Sequence, residues 1–410
     1  MPDWKPGSIS NHAYIAAYLK ANNAYFNKLR QADRLRFVQR VIYFIRNKSF
    51  DGREGFVVTP DMEIDIAASA VQLTLGLDTW DLSYFNHILV YRSDYKSPAT
   101  GKYHKGETNM GGFICFSWPA FAEGYRNPHD KVNLGLHEFA HALRFNGIRG
   151  NVTDYFFENY FARWLGCANR EFRKLRDHSA ESIFRKYGGV NINEFFSVAI
   201  ETFFETPMAF KATLPELYTE TSILLNQTFT ETGAVQLDCR PELMKTNNFR
   251  LSKAYPEVMR FNLRNLGRSI VSLVFALAGA ALLLNDGYHY PAPYILLSFS
   301  VLAWLYLEWN YTKVYFERDH FSVRKGFWLP QGWRAKRLPY SALISFKLAY
   351  EYHYDEDGTR GDKYADRASI AYYTKGSFYK DRLHIVPVQP AFDELCRELR
   401  HHSVFVAITS

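Results

Sequence analysis

Hydrophobic positions recur at helical spacing through much of the first half of the chain. Between residues 24 and 47, Phe26, Leu29, Leu35, Phe37, Val38, Val41, Ile42, Phe44 and Ile45 form one stripe, as expected of a helix with a single buried face. A second pattern over residues 61–76 carries Ile64, Ile66, Ala67, Val71, Leu73 and Leu75 and stops at Gly76, a residue that commonly ends helices. Two short β-rich runs, residues 88–91 and 113–118, then predict a small sheet beside the helices. The 113–118 run reads as ordinary core structure; the other reading makes it an edge strand that pairs the backbone of an extended peptide.

Two long uncharged runs interrupt this pattern, 17 residues over 269–285 and 20 residues over 288–307. Both lie near the roughly 20 residues needed to cross a hydrocarbon core about 30 Å thick, so a transmembrane helical hairpin is predicted over residues 266–309. Its connector, Asn285-Asp286-Gly287, has turn chemistry and no Lys or Arg. Its outer flanks are basic, with Arg260, Arg264 and Arg268 before it and Lys313, Arg318, Arg324 and Lys325 after it. By the positive-inside rule the chain is then multi-pass in the cytoplasmic (inner) membrane, with both soluble domains facing the cytoplasm. Tyr288, Tyr290, Trp304, Tyr306 and Trp309 fall where interfacial aromatic belts belong. A buried helical hairpin in a soluble protein is the alternative.

Beyond residue 311 the pattern changes to alternation: Val314 and Phe316, Phe321 and Val323, then residues 368–373 and 383–388. The segment 390–402 reads as one helix, with Phe392, Leu395, Cys396 and Leu399 on a face. The predicted organisation is thus residues 1–260, mainly helical with a small sheet, the hairpin, and a β-rich domain over 311–410. The class is α+β.

Composition narrows the function classes. With 410 residues, 47% hydrophobic and 17% aromatic, the chain is neither disordered nor collagen-like. Its four cysteines lie far apart with no CxxC pair, which argues against a disulfide framework and a cysteine-built zinc site. The N-terminus has no signal-peptide pattern. The net charge of +7 is localised: residues 240–268 and 313–337 each hold seven basic and two acidic side chains. The basic excess therefore flanks the apolar runs, which favours membrane lipids as partners and leaves nucleic acid unsupported.

The strongest chemical signal is His137-Glu138-Phe139-Ala140-His141. Residues four apart share a helix face, so both imidazoles can meet one zinc ion while Glu138 faces its open side. Asp130 is the expected N-cap, and Val132, Leu134, Leu136, Phe139 and Leu143 supply an apolar surround. A third ligand is expected on a second helix, and Glu194 qualifies. It lies near the start of an apolar segment that Asn191 or Asn193 can cap and Pro207 closes, where a carboxylate is costly unless paired or metal-bound. Glu201, seven residues on, shares its face; it reads as holding a ligating His by its free N–H, or as a plain salt-bridge partner.

These residues resemble the Mlc titration factor A family of bacterial zinc peptidases, which is distantly similar to the catalytic domain of anthrax lethal factor. HEFAH is followed, 57 residues after its first His, by Asn193-Glu194-Phe195-Phe196. Upstream, Lys48-Ser49-Phe50-Asp51-Gly52, the 64–77 helix, the 88–91 strand and Ser117-Trp118 fall in the family's order. The likeness covers about residues 25–230 and implies a gluzincin-like zinc metallopeptidase. It assigns His137, His141 and Glu194 as zinc ligands and Glu138 as general base. Tyr187, seven residues before Glu194 and followed by Gly188-Gly189, inherits stabilisation of the oxyanion. Arg144 departs from the pattern, standing where the family usually has Asp.

The implied function is a membrane-anchored metallopeptidase acting on a peptide or protein. The alternative is a catalytically weak regulatory zinc protein that binds a partner such as a transcriptional repressor. The C-terminal domain resembles bacterial pleckstrin-homology-like domains through its architecture. Its basic and aromatic residues 324–337 read either as a surface for anionic headgroups or as a basic loop with core tryptophans.

Overall fold

The computed structural model describes residues 9–409 except 99, 150–153, 180, 247, 256–258, 262, 287–290, 311, 326–334, 355–359, 375–376, 389 and 403. The chain divides into two compact units, Met1–Leu243 and Met244–Ser410.

The first unit opens with α1 (Ile9–Asn22), α2 (Ala24–Lys28) and α3 (Gln31–Asn47). The stripe expected over 24–47 is thus two helices, because Leu29 and Arg30 adopt extended backbone angles between them. Strand β1 (Ser49–Gly52) leads to α4 (Pro60–Thr74). Thr59 caps α4 by accepting from Met62 N–H, and Pro60 takes the first helical position, where a missing N–H costs nothing. Past its C-terminus Gly76 touches the next layer: a Cβ there would lie 2.3 Å from the Leu225 carbonyl oxygen.

Strands β2 (His87–Tyr91), β3 (Tyr95–Lys96), β4 (Tyr103–His104), β5 (Gly106–Asn109) and β6 (Phe113–Ser117) follow. The main sheet has the order β1-β2-β6-β5, with β5 antiparallel to an otherwise parallel set. The 113–118 run therefore supplies an interior strand, and the two edges belong to β1 and β5. Ile114, Cys115 and Phe116 are buried in succession, the mark of a strand covered on both faces.

Helices α5 (Trp118–Arg126), α6 (Leu134–Arg149), α7 (Tyr155–Arg176), α8 (Ile192–Glu205), α9 (Pro207–Thr213) and α10 (Pro215–Leu225) form the body of the unit, followed by the hairpin β7 (Gln227–Phe229) and β8 (Val235–Leu237); α11 (Arg240–Thr246) runs across the boundary at Leu243. Phe196 of α8 packs edge-on against Phe161 and Trp164 of α7, and Phe139 of α6 packs against Phe44 of α3 and Phe116 of β6. Such aromatic pairs fix neighbouring helices with defined geometry.

In the second unit, β9 (Met259–Phe261) precedes α12 (Leu263–Asp286) and α13 (Ala292–Asn310). These two helices pack together at Gly279, where a Cβ would sit 3.0 Å from Leu297 Cγ. Among the described residues, no helix is long and apolar enough to cross a membrane. The predicted transmembrane hairpin and the multi-pass inner-membrane location are therefore corrected. A hairpin needs two full spans, yet α12 opens with Arg264, Asn265 and Arg268 and keeps an apolar run of only 17 residues. Gly287 of the expected connector and Tyr288 and Tyr290 of the expected aromatic belt lie outside the described residues, as do most of 324–337.

The remaining strands are β10 (Thr312–Phe316), β11 (His320–Lys325), β12 (Ala335–Pro339), β13 (Leu343–Tyr354), β14 (Arg360–Thr374), β15 (Ser377–Pro387) and β16 (Phe405–Thr409), with α14 (Ala391–His401) before the last. They make a three-stranded sheet β10-β11-β12 and a five-stranded sheet β16-β13-β14-β15-β9. Phe392, Leu395, Cys396 and Leu399 of α14 join a core with Phe316, Phe321, Phe346 and Ile370, the face that the alternation and helical spacing predict. All four cysteines are free and buried.

Candidate metal centre

Helix α6 begins one turn before the His pair, and its cap differs from the sequence expectation. Asn133 Oδ1 accepts from Leu136 N–H at 3.0 Å, and the Asn133 carbonyl accepts from His137 N–H. Asp130 instead closes the preceding turn, accepting from Val132 N–H and Asn127 Nδ2. Asn191 caps α8, accepting from the backbone N–H of Asn193 and Glu194. Ser197 Oγ donates to the His137 carbonyl at 3.1 Å and ties the two helices together.

Across that contact three side chains converge. Glu194 Oε2 lies 3.0 Å from His137 Nε2 and 3.3 Å from His141 Nε2, and the three ligand atoms all lie within 4.8 Å of one another. His137 Nδ1 is 2.7 Å from Glu201 Oε1. Among the described residues, His141 Nδ1 is buried without a hydrogen-bond partner, whereas its Nε2 faces Glu194.

The electrostatics of the chain alone follow from this crowding. Burial opposes a charge on His137, but hydrogen bonds with Glu194 and Glu201 push its pKa up to about 10. Burial likewise opposes the Glu194 carboxylate, yet both histidines hold it down at about 2. Since His137 donates Nδ1–H to Glu201, a neutral ring turns a lone pair on Nε2 toward a carboxylate oxygen that also offers only lone pairs. The arrangement is repulsive unless a proton or cation lies between the groups. Two imidazoles and a carboxylate form a donor set that suits zinc, so the residues present fit a metal.

Glu138 is buried beside this group. Burial raises its pKa, opposed by the two histidines and by Thr108. Thr108 of β5 places its Oγ 2.9 Å from Glu138 Oε2 and 2.8 Å from the Glu138 carbonyl oxygen. Gly106 permits this approach: a Cβ there would lie 2.7 Å from both Glu138 Oε1 and Leu134 Cδ1. Tyr187 is half exposed, with its ring centroid 5.9 Å from that of His137. Burial and the nearby Glu194 charge push its phenol pKa up. Gly188 and Gly189 let its turn press on α7, where added Cβ atoms would meet Leu175 at 3.1 Å. Glu138, Tyr187, His137 and Gly106 all line one cleft of about 530 Å³.

Of the five sequence-predicted site residues, His137, His141 and Glu194 thus converge, and Glu138 and Tyr187 line the cleft beside His137. Arg144 pairs with Glu158 of α7 at 3.8 Å and stacks on Phe161, so it serves the α6–α7 contact in place of any role an Asp would have there. Sequence reasoning did not find Thr108, Gly106 or Arg185. Arg185 Nη2 lies 2.5 and 2.6 Å from the two oxygens of Glu201. The available signals were a Gly opening a short polar strand and a basic residue two before Tyr187.

The chain is 26% identical over 210 residues to an uncharacterized protein of Synechocystis sp., a match covering 47% of this chain and 76% of the relative. The family model for the glucose-regulated metallo-peptidase M90 matches residues 9–226, a span that includes α6, α8 and every residue of the candidate centre. The chain belongs to the glucose-regulated metallo-peptidase M90 family.

Proposed function

We propose that the first unit is a zinc-dependent peptidase in which His137, His141 and Glu194 hold the metal. The convergence of their three ligand atoms within 4.8 Å carries the proposal. Zinc held there supplies Lewis-acid chemistry, polarising a carbonyl and acidifying water. Glu138 is the general base: its carboxylate accepts the proton of the attacking water and delivers it to the leaving amine. Its burial favours the first of these steps, because a carboxylate of raised pKa takes a proton more readily. Tyr187 donates its phenolic hydrogen to the oxyanion; its raised pKa keeps that hydrogen in place at neutral pH. Glu201 holds His137 in the tautomer that presents Nε2.

The substrate is a peptide in extended form. The free edge of β5 lies beside Glu138 and supports backbone pairing there. The test is turnover of a broad peptide library by the native chain and by Glu138→Gln. The variant should keep its metal and lose at least about 100-fold in kcat, the lower end of a general base's contribution. Equal turnover by both chains would sink the assignment.

A further inference from the structure

We infer that Arg185 is a positioning residue that locks both the metal centre and the Tyr187 turn. Its Nη2 alone straddles both oxygens of Glu201, at 2.5 and 2.6 Å. Those oxygens have different tasks. Oε1 receives His137 Nδ1–H at 2.7 Å, and Oε2 receives the Asn133 backbone N–H at 2.8 Å, at the cap of the helix that carries both histidines. One guanidinium nitrogen therefore fixes the rotation of a carboxylate that sets His137 and the start of α6 together.

Arg185 also stands immediately before the short helical turn Lys186–Gly189. Tyr187, on that turn, is half exposed, so the buried Glu201 contact two residues away anchors its backbone to α8. Glu201 is 1% exposed and Arg185 31% exposed at the side chain. The pair thus spans from the interior to the cleft that both residues line. A carboxylate buried this deeply keeps one orientation only if its donors do, and Arg185 is the donor that crosses from the Tyr187 turn.

This role presupposes the metal centre proposed above, and two readouts separate them. Zinc affinity of the full-length chain is measured by competition with a chromophoric chelator. The Nδ1–H resonance of His137 is followed by NMR in metal-free, histidine-labelled protein. Arg185→Ala should weaken zinc binding about 10- to 100-fold, the usual loss when an outer partner of a ligand is removed, and should shift or broaden the His137 resonance. Arg185→Lys, which returns one cationic donor, should recover part of both. Arg185→Gln replaces the alanine variant if that chain does not fold. Zinc affinity within twofold of the native chain together with an unchanged resonance would overturn the role. If the native chain itself binds no zinc, the metal-centre proposal fails and the resonance alone decides Arg185: its loss supports the lock, its persistence refutes it.

Discussion

Replacing Thr108 with Val removes one hydroxyl beside the proposed general base and leaves the β-branched shape that suits strand β5. Thr108 Oγ has a single hydrogen to share between Glu138 Oε2 at 2.9 Å and the Glu138 carbonyl oxygen at 2.8 Å. A hydrogen bond to a charged group contributes about 1.5–3 kcal/mol, and sharing places this one near the lower end. Its loss raises the Glu138 pKa, because the charged form loses a bond that the neutral form needs less. The sign is fixed, because the Thr108 hydrogen bond lowers that pKa, against burial and the Glu194 charge, which raise it. Since the base must be ionised to act, the acid limb of the kcat/KM profile should move toward neutral pH, so that activity on that limb falls about tenfold, the equivalent of about 1.4 kcal/mol, with the plateau above it little changed. The assay is peptide hydrolysis across pH at subsaturating substrate. An acid limb that stays in place would show that Glu138 does not govern it, or that Thr108 does not bond its charged form.

Other residues give independent checks. Gly106→Ala forces a Cβ to within 2.7 Å of Glu138 Oε1 and Leu134 Cδ1; the chain should lose about 1–3 kcal/mol of stability or shift Glu138 enough to cut kcat about 100-fold, and unchanged values of both would refute the close approach. Zinc must displace the proton that His137 keeps up to about pH 10, so apparent affinity should rise about tenfold per pH unit below that value; calorimetry in buffers of different ionisation enthalpy should find one proton released, and a pH-independent affinity would contradict the geometry. In the metal-free chain the raised His137 pKa contributes stability that is complete below about 6.5, its unfolded value, and is lost as pH rises through about 10, whereas Glu194 contributes above about 4.5 and loses this as pH falls through about 2. Urea midpoints should therefore be highest between those unfolded values, and His137→Asn should flatten the alkaline decline. Arg40→Ala removes hydrogen bonds to the carbonyls of Thr74, Leu75 and Leu77 and stacking on Trp80; it should cost about 3 kcal/mol, seen as a lower urea midpoint at constant slope.

What the sequence revealed follows the range of each signal. His137 and His141 were legible because their four-residue spacing states a shared helix face by itself. Glu194 was legible because a carboxylate in an apolar helix needs a reason to be there, and the Asn-Glu-Phe-Phe resemblance supplied one. Thr108 and Arg185 were not legible: their partners lie 30 and 16 residues away, and no local period encodes those contacts. Strand order was hidden for the same reason, although four apolar residues in succession at 113–116 already hinted at an interior strand. The 24–47 stripe concealed a break because hydrophobic spacing does not register the extended backbone at Leu29 and Arg30. The apolar residues 269–285 and 292–307 did become helices, but hydropathy over a window gave the first run more reach than its polar opening turns allow.

The central claim is that His137, His141 and Glu194 together hold one metal ion. Metal analysis of the purified full-length chain after equilibration with zinc and exhaustive dialysis tests it most directly, with His137→Ala and Glu194→Ala run in parallel. The native chain should hold about one equivalent of zinc and either variant well under that, with both variants still folded. A folded native chain that retains no zinc, or variants that retain as much as the native chain, would contradict it.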